Sequence, residues 1–165
     1  MTFNRTITIA SLVLAFSFPA LAEVLSGRVV HLADGDTLTL LDSSNQQHKI
    51  RLSGIDAPEH KQAYGDVSKK HLADLVAGKT VTVDWHKLDK YQRIVGKVLL
   101  GDQDICLEQI KAGMAWHYKK YENEQTPKDR SIYTASEDEA HTAQRGLWKD
   151  TNPVPPWDYR HPGRN

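Results

Sequence analysis

Two short acidic segments hold most of the side chains in this sequence that could do chemistry together: Asp34-Gly35-Asp36-Thr37 and Asp56-Ala57-Pro58-Glu59. Carboxylates are hard oxygen ligands. A pair of them with a nearby backbone carbonyl suits Ca²⁺ better than Zn²⁺. Gly35 is expected to let the backbone turn sharply between its acidic neighbours. Each segment also has an ordinary reading. Asp-Gly-Asp recurs in turns, and Asp56 could cap a helix with Glu59 in its first turn. Two arginines can complete the constellation. Arg51 shortly precedes Asp56, and Arg93 closes the polar stretch Asp89-Lys90-Tyr91-Gln92-Arg93. A guanidinium forks onto phosphate oxygens bidentately and keeps its charge at ordinary pH. A phosphate held between a metal ion and two arginines is the electrostatic clamp that phosphoryl transfer needs. Taken singly, each arginine also reads as a solvated strand end.

The elements between these residues must decide whether they meet. The Val- and Leu-rich run Leu25–Leu32 reads as a strand, and Thr37–Leu41 alternates as a second. The turn cluster Asp42-Ser43-Ser44-Asn45 leads to a third strand near Gln47–Leu52, giving an antiparallel meander. In a meander the end of strand three returns beside the start of strand two, so Asp36 and Asp56 can face each other. A helix is predicted over Tyr64–Ala77, ended by Gly78 in the left-handed cap position. A fourth strand follows over Lys79–His86 and a fifth over Ile94–Leu100. Further helices are predicted over Asp104–Ala112, stopped by Gly113, and over Ser131–Gln144, stopped by Gly146. Five strands in a three-plus-two order, with a helix between the third and fourth, match an OB-type barrel. The predicted fold class is therefore α+β: a five-stranded OB-like β-barrel with three α-helices.

Length and composition bound the rest. The 165 residues suffice for one domain with a real core. Residues 1–22 stand apart: Arg5, an apolar run from Ile7 to Phe18, then Ala20-Leu21-Ala22. That is the layout of a secretory signal peptide cleaved after Ala22, and the run is short for a membrane anchor. Cleavage would remove one of the 21 basic residues and none of the 21 acidic ones, for a formal charge of −1. A nucleic-acid binder often carries a positive excess, so any basic surface here must be local and long-range steering weak. Cys106, the one cysteine, excludes an intramolecular disulfide and reads as a small core residue. The eight histidines show no HExxH pairing, though His60 stands beside Glu59. Trp148 reads as a plug under the third helix. The tail from Thr151 (Asn-Pro-Val-Pro-Pro-Trp) is expected to lie extended across the surface.

The ordered set DGDT, IRLSGIDAPE, DKYQR, GMAW and GLW, spread from about Gly27 to Trp148, resembles the staphylococcal-nuclease family. The resemblance implies the staphylococcal-nuclease fold, with residues 23–150 as the nuclease domain and 151–165 as a Pro-rich tail. It implies Ca²⁺ held by Asp36, Asp56 and the backbone carbonyl of Ala57, where the prototype has Thr. By the same resemblance Glu59 orders or deprotonates the attacking water, while Arg51 and Arg93 grip the scissile phosphate. Tyr91 contacts the nucleotide, and Tyr121 falls near a second aromatic of the binding pocket. Two features depart from the prototype: the basic run after the DxPE segment is thin here (His60, Lys61), and the chain lacks the prototype's basic charge.

The function so implied is Ca²⁺-dependent endonucleolytic hydrolysis of DNA and RNA with little sequence preference. Cleavage falls at the 5′-side P–O bond and leaves 3′-phosphate products. The protein is expected to be a monomer, periplasmic or secreted, and off the membrane once its signal peptide is gone. Two alternatives stand beside it. One is a non-catalytic OB-type module binding single strands through aromatics and a basic groove. The other is an exported domain with a structural Ca²⁺ and a protein partner, which leaves Arg51 and Arg93 without a task.

Overall fold

In the computed structural model, which describes residues 23–163, the apolar periodicity of the chain resolves into a closed barrel with helices packed outside it. The signal-peptide reading of residues 1–22 lies outside the described residues. Strand β1 (Glu23–Leu32) is long enough to serve two neighbours. Its first half pairs antiparallel with β5 (Thr80–Leu88) and its second half with β2 (Thr37–Leu41). Gly27 sits where β1 passes between them, and a Cβ there would lie 2.7 Å from the Leu41 carbonyl oxygen. β2 pairs in turn with β3 (Gln47–Leu52), and β5 with β6 (Ile94–Leu100). A parallel pairing of β3 with β6, with Arg51 opposite Val95, closes the five strands into a barrel.

Burial explains why the strands close. Val29, Leu38, Leu40, Ile50, Leu52, Val81, Val83 and Val98 are all essentially excluded from water and fill the interior. Burying such side chains is worth about 1.5–3 kcal/mol each, which offsets the ordering of the strands. α1 (Gly65–Val76) adds Leu72 and Val76 to this core, and α2 (Ile105–Lys111) adds Ile105, Cys106 and Ile110. Asp104 caps α2 through the Leu107 amide and accepts the Tyr133 hydroxyl of α3 (Pro127–Thr142) at 2.8 Å. A second, smaller cluster joins Ala140, Leu147 and Trp148 with Tyr64 and Trp116, so Trp148 is a packing residue.

Three expectations need correction. α3 begins at Pro127, not Ser131, because Thr126 caps it through the Asp129 amide and proline is well suited to the first helical turn. It ends at Thr142, since Gln144 takes a left-handed conformation before Gly146 does. The tail is not simply extended: Pro156–Tyr159 form a helical turn, α4, again started by proline. Two short pairings were not foreseen. β4 (Ile55–Asp56) joins β8 (Trp116–His117), and β7 (Gln103–Asp104) extends β6. Among the described residues no helix is long and apolar enough to cross a membrane.

The Cys106 environment yields a test. Its side chain is fully buried, and burial, aided by Asp104, pushes the thiol up to about 12. Thiol reagents should label the native protein slowly and the denatured protein fast. Cys106→Ser should keep its activity while losing about 1–3 kcal/mol of stability, read by urea unfolding. Rapid native labelling would show that the α2 packing is wrong.

Candidate active site

Both acidic segments meet at one end of the barrel, and the strand ladder is the reason. Thr37 pairs with Arg51 across β2 and β3, and the Leu52 amide donates to the Asp36 carbonyl at 2.8 Å. The chain then needs only the Ser53-Gly54 turn to return through β4, where Asp56 stands beside Asp36. The contact between the segments is direct: the Ala57 amide donates to Asp36 Oδ2 at 2.6 Å. Asp36 Oδ1 accepts from the Thr37 hydroxyl, and the Asp34 side chain accepts from the Asp36 amide.

The chain bends sharply at Gly35, as expected, but it is lack of bulk rather than a left-handed conformation that requires glycine there. Its φ lies outside the left-handed region. A Cβ there would fall 1.8 Å from Ser68 Oγ and 2.9 Å from the Ala57 methyl. The space is filled by a buried polar network. Gln109 of α2 donates to the Gly35 carbonyl at 2.7 Å, and Ser68 of α1 donates to the Met114 carbonyl at 2.7 Å. The acidic turn is thus fastened to two helices.

Arg51 lies between the two carboxylates. Its Nη2 group reaches Asp56 Oδ1 at 2.8 Å and Asp36 Oδ2 at 3.2 Å. Its Nη1 group donates to the carbonyls of Leu52 at 2.6 Å and Ile55 at 2.9 Å. Burial opposes the guanidinium charge, but Asp36 and Asp56 outweigh it and hold the group above its ordinary value. The compensation does not extend to the acids. Burial raises Asp36 to about 6 against the pull of Arg51, with Asp34 adding to the rise. Burial likewise raises Asp56, against Arg160 and Arg51. Burial thus holds both carboxylates above their usual range, and the neighbouring guanidinium groups do not fully offset it.

Arg93 reaches the same place from another element. The Asp89–Arg93 loop folds on the Asp89 carboxylate, which accepts from the Tyr91 and Arg93 amides and from Arg93 Nε at 2.7 Å. The outer end of Arg93 then meets the Thr37 hydroxyl at 3.3 Å. Tyr91 is two-thirds exposed, and the Arg93 guanidinium carbon lies 5.5 Å from its ring centre. Glu59, half-exposed in the loop before α1, accepts from Arg160 at 2.7 Å. His60 turns outward to Asp66 at 2.8 Å. Tyr121 also lies further out, against Tyr118 and near Lys87.

Three residues at this end were missed by sequence reasoning. Tyr118 is tied to the turn beside Asp56, since its amide donates to the Gly54 carbonyl at 2.9 Å. Trp157 of α4 stacks on the Tyr118 ring, with centroids 5.3 Å apart and planes 4° from parallel. Arg160 returns from the tail to grip Asp56. The interleaved aromatic and basic residues of Trp157-Asp158-Tyr159-Arg160 were the available signal. A cleft of about 710 Å³ runs beside them, bordered by Trp116, Tyr118, Lys119, Trp157 and Arg160.

The donor chemistry fits a hard cation. Asp36, Asp56 and the Ala57 backbone offer oxygen only, and the unbalanced acids favour added positive charge. Among the described residues no group of three or more Asp, Glu, His or Cys side chains is placed to hold a metal ion by itself. The protein ligand set is therefore small, and water would complete the coordination of a flexible ion such as Ca²⁺.

Comparison with known proteins finds a family and several similar chains. Residues 49–150 match the family model described as staphylococcal nuclease homologue. The chain is 43% identical over 147 residues to an "uncharacterized endonuclease" of Escherichia coli, covering 88% of this chain and 92% of that protein. It is 42% identical over 159 residues to one of the same name from Haemophilus influenzae, covering 95% and 86%. A "micrococcal nuclease" of Shigella flexneri is 37% identical over 165 residues, covering 94% and 91%.

The raised Asp36 sets a pH test. An acid whose folded pKa lies above its unfolded value adds nothing to instability below about 3.8 and its full penalty above about 6. With a chelator present, Asp36→Asn should therefore be more stable than the parent above pH 6, by about 1–3 kcal/mol. The gap should close as pH falls from 6 towards 3.8. Thermal unfolding across this range measures it, and a gap independent of pH would refute the raised Asp36 carboxyl.

Proposed function

This chain belongs to the staphylococcal nuclease family of phosphodiester hydrolases, and we propose that it is a Ca²⁺-dependent endonuclease that cuts DNA and RNA with little sequence preference, leaving 3′-phosphate ends. The observation that carries this reading is the convergence of Asp36, Arg51, Asp56 and Arg93 at one end of the barrel. Asp36, Asp56 and the Ala57 carbonyl would hold the ion. When bound, Ca²⁺ supplies positive charge against a non-bridging phosphate oxygen.

The remaining work falls to side chains of this protein. Glu59 accepts a proton from, or orients, the water that attacks phosphorus in line with the departing oxygen. Arg93, fixed through Asp89 and reaching Thr37, meets negative charge as it grows on the phosphate oxygens. Arg51 does the same from the opposite side while holding the two carboxylates in register. Both its Nη groups are engaged by protein oxygens, so its contact with phosphate depends on a rearrangement of that ion-pair set. Tyr91 presents an exposed ring to the nucleotide, with Tyr121 further along the strand's path.

The exported reading completes the proposal. Residues 1–22 act as a cleaved signal peptide, 23–150 form the nuclease unit and 151–165 a Pro-rich extension. The mature protein is a monomer, periplasmic or secreted. A binding module without catalysis would leave the Asp36–Arg51–Asp56 arrangement and Glu59 without a task. Activity on DNA and RNA with Ca²⁺, Mg²⁺ or a chelator, followed by end-group analysis, tests the reading. Chelator-resistant cleavage or 5′-phosphate ends would refute it.

The arginines give the sharper test. Lysine keeps the charge but loses the planar fork. Arg93→Lys should lower kcat by on the order of 10² to 10³ with KM for DNA changing far less. Arg51→Lys should lose rate to a similar degree and also lose stability, because Nη1 holds two carbonyls. Tyr91→Ala should raise KM more than it lowers kcat. Steady-state kinetics decide it; near-native kcat in both lysine variants would make the arginines backbone anchors.

A further inference from the structure

The C-terminal tail crosses the mouth of the site and is fixed at several points. Val154 accepts a hydrogen bond from Gln62 Nε2 at 2.5 Å, and Gln62 Oε1 accepts from the Glu59 amide at 3.1 Å. Pro156 is buried, and Trp157 is stacked on Tyr118 and meets Trp116 edge-on with centroids 5.7 Å apart. These anchors place Arg160 over the acids. Its guanidinium donates to Asp56 Oδ2 at 2.7 Å, to Asp56 Oδ1 at 3.2 Å and to Glu59 Oε1 at 2.7 Å. One side chain, far away in sequence, thus occupies both oxygens of the proposed metal ligand and the acid proposed to handle water.

Building on the metal reading above, we infer that the tail is a latch: Arg160 and a divalent cation are alternative occupants of the Asp56–Glu59 face, and the ion must displace the arginine before the site can work. A Ca²⁺ ion approaches carboxylate oxygens to about 2.3–2.6 Å. The ion would need the lone pairs that Arg160 now fills on Asp56 Oδ2 and Glu59 Oε1, and at that distance its double charge would repel the guanidinium. The charge count runs the same way. Without Arg160, Asp34, Asp36, Asp56 and Glu59 would face Arg51, while Arg93 is already paired with Asp89. Arg160 therefore supplies positive charge where the ion would otherwise supply it. The latch sets the Ca²⁺ concentration at which the site becomes competent and holds Glu59 in an ion pair below it.

Two variants of the intact protein test this, with calorimetric titration of CaCl₂ as the readout. Arg160→Gln removes the competitor. Trp157→Ala leaves every charge in place and removes the stacked anchor. A site open only part of the time binds with its affinity lowered by that fraction, and a latch closed about nine-tenths of the time costs about tenfold. Both variants are therefore expected to bind Ca²⁺ about tenfold more tightly than the parent, and Ca²⁺ is expected to shift the parent's Arg160 side-chain ¹⁵N signal, assigned by its loss in Arg160→Gln. Parent and variants binding Ca²⁺ with equal affinity would overturn the latch while leaving the metal reading intact. No Ca²⁺ binding to any of the three would overturn the metal reading, and the latch with it.

Discussion

Placing two carboxylates and a guanidinium together out of water is the constraint around which the molecule is arranged. An unpaired buried charge costs several kcal/mol, so Asp36, Arg51 and Asp56 can coexist only if each finds the others at hydrogen-bond distance. That demand fixes the β2–β3 register, since a slip of one residue would turn Arg51 to the other face of the sheet. It also requires the tight return from β3 to β4 that brings Asp56 back. The Gln109–Gly35 and Ser68–Met114 bonds extend the same demand into the helices, because the acidic turn cannot drift without breaking them. Even so burial leaves both acids above their usual range, and the oxygen donors gathered at this end of the barrel fit a hard cation.

The strands were legible because their alternation is strong and their turns carry ordinary turn chemistry. Thr37–Leu41 and Gln47–Leu52 run over the expected residues, and the meander by itself puts Asp36 near Asp56. Boundaries failed where local capping outweighs apolar periodicity, as at Thr126-Pro127, where the first helical turn is polar. Gly35 shows a subtler gap. A sequence can flag a glycine but not whether conformation or crowding requires it, and here Ser68, remote in the chain, supplies the reason. The role of the tail was illegible for a related cause. Nothing local in Trp157-Asp158-Tyr159-Arg160 says which surface it meets; that depends on Tyr118 and Gln62, which only the folded chain brings near.

The near-zero charge balance also finds a structural expression. Many basic side chains are already engaged: Lys87 with Glu124, Lys97 with Asp129, Lys119 with Glu137 and Arg145 with Glu139. Little free positive field is left to draw a polyanion from a distance. What this balance leaves is short-range surface, such as the cleft where Trp116, Tyr118 and Trp157 lie with Lys119 and Lys120.

The parallel pairing of β3 with β6 joins segments more than forty positions apart, whereas the other barrel pairings of β3 and β6 are to their immediate neighbours in the chain. Such long-range closures carry a larger chain-entropy cost and slow folding relative to hairpins. Arg93 stands just before β6 and reaches Thr37 only when β6 has docked on β3. A chain with its meander formed but its barrel open holds Asp36, Arg51 and Asp56 on a hairpin and its turn, without Arg93 opposite them. The complete constellation, second arginine included, is thus a property of the closed barrel.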